Sequence, residues 1–147
     1  MSQDDLVLGE DGRLCLPSGS PYTGVTEDFY EDGRIASRYR FLNGLPHGLQ
    51  QEWYETGQIA LEEARCLGQF HGYRREWYPN GRLKYENLSE HGFRIHVKQF
   101  DENGNLIRET SYPYPDQSYS ALVRWRAEAR AQGFGPPEGV DPRLLPP

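Results

Sequence analysis

One stretch of this chain is written more than once. Gly48–Ile59 reads GLQQEWYETGQI, and Gly72–Leu83 reads GYRREWYPNGRL, 24 residues further on. Gly24, Gly48 and Gly72 form a ladder at that spacing, and so do Gly33, Gly57 and Gly81. Tyr30, Tyr54 and Tyr78 form a third, each preceded by an aromatic residue, Phe29, Trp53 and Trp77. Gly44, Gly68 and Gly92 form a fourth. The next copy is worn. Gly92 opens it, Ile95-His96 stands where His-Gly is expected, and one residue is lost. Phe100, Gly104 and Leu106 then take the places of Trp53, Gly57 and Ile59. At the other end, EDGRL (Glu10–Leu14) echoes EDGRI (Glu31–Ile35) as half a unit. A fixed internal period restricts the fold sharply, because each copy must bury its apolar side against its neighbours.

Each unit reads as a β-hairpin. EDG, ETG, PNG and ENG set a turn-forming residue before Gly, as positive-φ hairpin turns require. The flanking segments alternate: Leu49, Gln51 and Trp53 on one face, Gln50, Glu52 and Tyr54 on the other. Ile35, Ile59, Leu83 and Leu106 hold equivalent places on the returning strand. Gly24, Gly48 and Gly72 suit a close backbone approach or a sharp bend between hairpins. One hairpin is marginal in water. A stacked row shares an aromatic stripe, and each ring buries roughly 150–250 Å2 at about 25 cal/mol per Å2. Phe29, Trp53, Trp77 and Phe100 are therefore expected to be the stacking core, dominated by the two tryptophans.

The expected fold class is all-β: an elongated, twisted antiparallel sheet of stacked hairpins with period 24, closed by a C-terminal α-helix. Residues 1–21 are a half-repeat cap, and 22–110 hold three full units and one degenerate unit. Residues 111–117 (SYPYPDQ) are a proline-bearing linker. The helix is expected over 118–132, capped by Asp116 or Ser118 at its start and Gly133 at its end. Its modest apolar face suits packing over the last hairpin. The tail 133–147 is Pro/Gly-rich.

Composition narrows the function. The 147 residues have 36% hydrophobic content, 13% aromatic content and a net charge of −6. That is too polar for a large two-sided core and too aromatic for a disordered chain. Acidity disfavours nucleic acid and anionic membrane surface as partners, but not a basic protein. Cys15 and Cys66 suggest no disulfide framework. No apolar run approaches the ~18 residues of a membrane span, and MSQDDLVLGEDG has no signal-peptide character. A cytoplasmic location is expected.

His47 and His71 occupy equivalent positions, but two strands per unit place them ~10 Å apart, too far to share a metal readily. No phosphate loop, nucleophile elbow, HExxH or CxxC motif is present. Repeated His/Glu pairs argue against the single asymmetric constellation that catalysis needs. The expectation is a non-enzyme without cofactor or metal. The partner-binding candidates are Asp28, Glu52 and Glu76, with Tyr30, Tyr54 and Tyr78, read as rows of carboxylates and phenols on one face. Arg34, Arg38, Arg40, Arg74, Arg75 and Arg82 dilute that acidity, and can equally be read as cross-strand partners of the carboxylates.

YTGVTEDFYEDGRI, HGLQQEWYETGQI and HGYRREWYPNGRL resemble the variant MORN repeat, over about Tyr22 to Glu109. More narrowly, the chain resembles the bacterial YwqK-like antitoxin family. That resemblance implies an immunity protein that binds and neutralises a cognate toxin encoded by an adjacent gene, and the acidity of this chain suits a toxin with a basic active-site cleft. The competing reading is a repeat scaffold or adaptor. Either a monomer or an edge-paired dimer is compatible with the sequence.

Overall fold

The computed structural model describes residues 1–112 and 119–134, Tyr119 by its backbone alone. After a 3-10 turn (Gln3–Asp5), β1 (Val7–Leu8) and β2 (Leu14–Cys15) pair as a small separate sheet. The main sheet holds β3 (Gly24–Phe29), β4 (Ile35–Leu42), β5 (Leu45–Pro46), β6 (Gly48–Trp53), β7 (Ile59–Cys66), β8 (Gln69–Trp77), β9 (Leu83–Glu90), β10 (Phe93–Phe100) and β11 (Leu106–Ser111). Its order is β11-β10-β9-β8-β7-β6-β4-β3, with the short β5 on β4, and every pairing is antiparallel. The chain is thus a β-hairpin row with one helix, α1 (Tyr119–Ala131), after it.

Two kinds of turn alternate. Inside each unit the turn closes on a positive-φ glycine: 84° at Gly33, 86° at Gly57, 83° at Gly81 and 88° at Gly104. Gly57 N donates to the Tyr54 carbonyl at 2.8 Å, and Tyr54 N to the Gln58 carbonyl at 2.9 Å. The residue before the glycine accepts from the residue after it, as Asp32 does from Arg34 N and Asn80 from Arg82 N, both at 2.9 Å. The half unit repeats this design, with Gly12 at φ 77° and Asp11 accepting from Arg13 N.

Between units the turn has two positive-φ residues, Asn43-Gly44, Leu67-Gly68 and His91-Gly92, the signature of a type I′ hairpin. Leucine and histidine adopt that conformation at a cost, and the unit before each turn helps hold it. Asn43 N donates to Thr23 Oγ1 (2.8 Å), Leu67 N to His47 Nδ1 (3.3 Å) and His91 N to His71 Nδ1 (3.2 Å). The glycine N–H groups of Gly44, Gly68 and Gly92 donate to the carbonyls of Tyr22, Pro46 and Phe70. The histidine of each His-Gly pair is therefore a hydrogen-bond acceptor for the following turn.

Burial is distributed differently from the stripe the sequence suggests. Trp53 and Trp77 are half-buried, and Phe29 is 58% exposed. The buried apolar residues are Cys15, Tyr22, Phe41, Cys66, Leu88, Val97, Leu122 and Ala129. Alongside them lie buried polar residues: Thr26, Gln50, Glu63, Asn87, Ser89, Glu90 and His91. Among the described residues no second layer covers the outward rings of this sheet, so polar pairing carries more of its cohesion than a two-layer fold would need.

The helix ends at Gly133, where Gly133 N donates to the Arg130 carbonyl and Phe134 N to the Ala129 carbonyl, a Schellman cap. It lies along the I′ turns, reaching back from the last units toward the second. Trp125 packs near His91 and Phe93, Arg126 grips both oxygens of Glu90 at 2.5 and 2.6 Å, and Phe134 packs on His47 with ring centres 4.6 Å apart. The candidate caps Asp116 and Ser118, and all but the first two residues of the tail, lie outside the described residues. No described helix is long and apolar enough to cross a membrane, and both cysteines are free and buried.

Candidate functional site

Register assigns the side chains to two faces. One face carries a row crossing the sheet from β3 to β11: Glu27, Arg38, Gln51, Glu62, Arg75, Glu86, Lys98 and Glu109, each opposite the next. Arg38 pairs with Glu27 and Arg75 with Glu86, both at 2.7 Å, and Gln51 donates to Glu62 at 2.9 Å. Alternating signs at cross-strand spacing hold neighbouring strands together. Arg38 and Arg75 thus act as cross-strand partners, though of carboxylates other than the candidate set.

Asp28, Glu52 and Glu76 sit on the opposite face, opposite Ser37, Leu61 and Tyr85. All three are engaged within the protein. Asp28 accepts from Ser2 and Ser37, Glu52 accepts from the Tyr39 hydroxyl at 2.6 Å, and Glu76 holds Arg74 at 2.7 Å. Burial, together with the Glu52 carboxylate, pushes the Tyr39 hydroxyl well above its ordinary pKa, so it stays a donor.

The tyrosines have a different task. A β-bulge precedes Phe29, Trp53 and Trp77, which breaks the strict alternation before Tyr30, Tyr54 and Tyr78. Their hydroxyls donate to main-chain carbonyls one unit ahead: Tyr30 to Trp53 at 2.5 Å, Tyr54 to Trp77 at 2.7 Å and Tyr78 to Phe100 at 3.0 Å. These bonds staple consecutive hairpins together at the end opposite the helix.

Glu63, Arg65 and Phe70 build the rest of this face together with Arg74. Glu63 bridges Arg65 (2.7 Å) and Arg74 (3.0 Å), and Arg74 also reaches Glu76, forming a four-membered ionic network. Burial opposes the charge on Arg74, but the hydrogen bond it donates to Glu76 and the charges of Glu63 and Glu76 more than offset it, raising its pKa. Arg65 also stacks over Phe70 at 3.6 Å. Two cavities open here. One, about 200 Å3, is bordered by Tyr39, Phe41, Gln50, Glu63 and Arg65. The other, about 250 Å3, is bordered by Phe70, Arg74, Tyr85, Asn87, Ser89 and Arg94. A signal for them existed in the sequence. Tyr39, Glu63 and Asn87 share one repeat slot, and Pro46, Phe70 and Arg94 share another. Slots where the repeat changes residue thus supply much of the lining, beside kept positions such as Glu76 and Gly92.

A third cavity, about 200 Å3, lies between α1 and the turns, against Cys66, His91, Trp125 and Glu128. Burial raises the Cys66 pKa, while burial and the neighbouring His71 lower that of His91. Among the described residues, no group of three or more His, Cys, Asp or Glu is placed to hold a metal ion.

The fold defines a hairpin-repeat protein with a preformed polar sheet face. Residues 46–63, 70–89 and 95–112 match the family model of the MORN repeat variant, so the chain carries MORN-type repeats. The match includes the worn copy around Phe100. The equivalent hairpin β3–β4 stands outside the matched segments yet has the same register and turn. No curated protein and no solved structure matches the chain.

Proposed function

We propose that this protein is a stoichiometric binder of another protein, and specifically an immunity protein that neutralises a toxin in the cytoplasm by covering its active site. The observation that carries the reading is the face built around Glu63, Arg65, Arg74 and Glu76, whose ionic side chains are held by each other before any partner arrives. Pre-organised polar groups lose little freedom on docking and impose a register on the partner. MORN-type repeats support a protein-interaction role, and the narrower antitoxin reading rests on the resemblance of the repeat units.

Co-expression with the product of the adjacent gene tests it. The expected result is a stable complex that co-purifies and relieves growth arrest caused by that product alone. A neighbour that is harmless, or one that stays toxic in the presence of this protein, overturns the immunity reading. Capture of several unrelated host proteins would point to an adaptor instead.

A further inference from the structure

The two cavities on the polar face differ in what they leave uncommitted. Around the smaller one, the Tyr39 hydroxyl donates to Glu52, and Arg65 donates to Glu63 and the Gly68 carbonyl. Gln50 is bonded to both the N–H and the carbonyl of Arg40. The larger one is different. Arg94 is exposed, lies over the Tyr112 ring at 5.8 Å, and has no carboxylate partner among the described residues. The Tyr85 hydroxyl makes no hydrogen bond among the described residues either. Ser89 Oγ accepts from Asn87 Nδ2 at 2.9 Å, so its own proton remains to be donated. Asn87, only 6% exposed, keeps an unbonded buried Oδ1.

Cations and hydroxyl donors therefore gather in a cavity whose own carboxylate, Glu76, is already engaged by Arg74. With Arg74, Arg94 and Glu76 the lining is net positive, in a chain of net charge −6. An anion with two acceptor oxygens matches a guanidinium fork flanked by hydroxyls. The volume, about 250 Å3, admits a short side chain. We infer that this cavity receives an aspartate or glutamate side chain of the partner protein, clamped by Arg94 and Tyr85. The inference rests on the protein-binding reading and gives that reading its chemistry: the partner is read through an acidic residue as well as through any basic surface it carries.

The test is a titration of the labelled protein with two end-blocked Gly/Ser/Thr peptides, one with a central Glu as its single charge and one with Gln in its place, followed by backbone amide NMR. Saturable shifts centred on Ser89, Gly92 and Arg94 are expected for the Glu peptide. The Gln peptide should bind about tenfold more weakly, as loss of a charge-assisted hydrogen bond implies. Arg94→Gln should erase that difference, and Tyr85→Phe should reduce it. Neither side chain makes a hydrogen bond or ion pair among the described residues, and Arg94 has only its distant contact with the Tyr112 ring, so the variants should melt close to the parent. Equal response to both peptides, no saturable response, or a Glu-dependent response that survives Arg94→Gln would overturn the inference. A response to free glutarate that exceeds the peptide's would assign the cavity to small anions and overturn it too. Failure of the functional reading is distinguishable. If the neighbouring gene product binds Arg94→Gln as tightly as the parent, only this inference falls. If that product never binds but the Glu peptide still seats here, only the immunity reading falls.

Discussion

The two cavities on one sheet face are joined by the Glu63–Arg74 bridge, yet one is internally saturated and the other is not. Around Tyr39, Gln50 and Glu63, every polar tip named above meets another group of the same chain. One hairpin further on, Tyr85, Asn87, Ser89 and Arg94 occupy the matching area with donors to spare. The same backbone unit thus serves two ends. Saturation makes a region structural, because removing one partner strands a buried group. Surplus donors make a region receptive, because a second molecule can complete them.

The largest effect that would break this contrast is expected at Glu63, whose side chain is 10% exposed and links Arg65 to Arg74. Glu63→Ala leaves Arg65 without its carboxylate and Arg74 with Glu76 alone. It should destabilise the fold by about 3 kcal/mol, read from urea unfolding monitored by tryptophan fluorescence. Stability within a few tenths of the parent would mean that the network belongs to binding and not to folding. Glu63→Gln should fall between the two.

Next come the inter-unit staples. Tyr54→Phe deletes the hydroxyl bond to the Trp77 carbonyl without changing the ring. It should cost about 1 kcal/mol, and Tyr30→Phe and Tyr78→Phe should cost similar amounts. These variants should leave partner binding unchanged. Loss of partner binding without loss of stability would restore the phenols to the recognition surface.

The smallest effect is the acid sensitivity of the helix-covered end. Burial lowers the pKa of His47, and burial plus His71 lowers that of His91. The neutral rings are thus favoured in the native state. The unfolded chain takes up protons first as pH falls below the ordinary histidine value of about 6.5. Stability from these groups is fully present above that value and is lost as pH falls from there through the lowered native values. His47→Thr keeps an acceptor for Leu67 N, as Thr23 does for Asn43 N, but cannot titrate. Melting curves between neutral and mildly acidic pH should show a shallower decline for His47→Thr than for the parent. Parallel declines would place the acid sensitivity elsewhere.

The period, the hairpins, the positive-φ turns and the helix with its glycine stop were all legible, because each depends on local spacing. Gly57 must close a turn wherever ETG stands between alternating strands. What Tyr54 does was not legible, because its acceptor is 23 residues away and a bulge at Trp53 sets its direction. Asp28, Glu52 and Glu76 were placed correctly on one face, but their internal partners come from three places: Ser2 before the N-terminal 3-10 turn, Tyr39 on the neighbouring β4, and Arg74 two residues earlier on β8. Arg94 was not legible because it sits in the worn copy, in a slot that reads Pro46, Phe70 and Arg94 and so carries no repeated residue.

The sequence by itself determined that this chain is a row of hairpins: a 24-residue period of turn glycines and aromatics has one inexpensive way to satisfy its backbone, the neighbour on each side. Tertiary structure alone decided which polar groups the row consumes and which it leaves open. Hydrogen bonds saturate pairwise at distances set by register and bulges, and no local pattern carries that information.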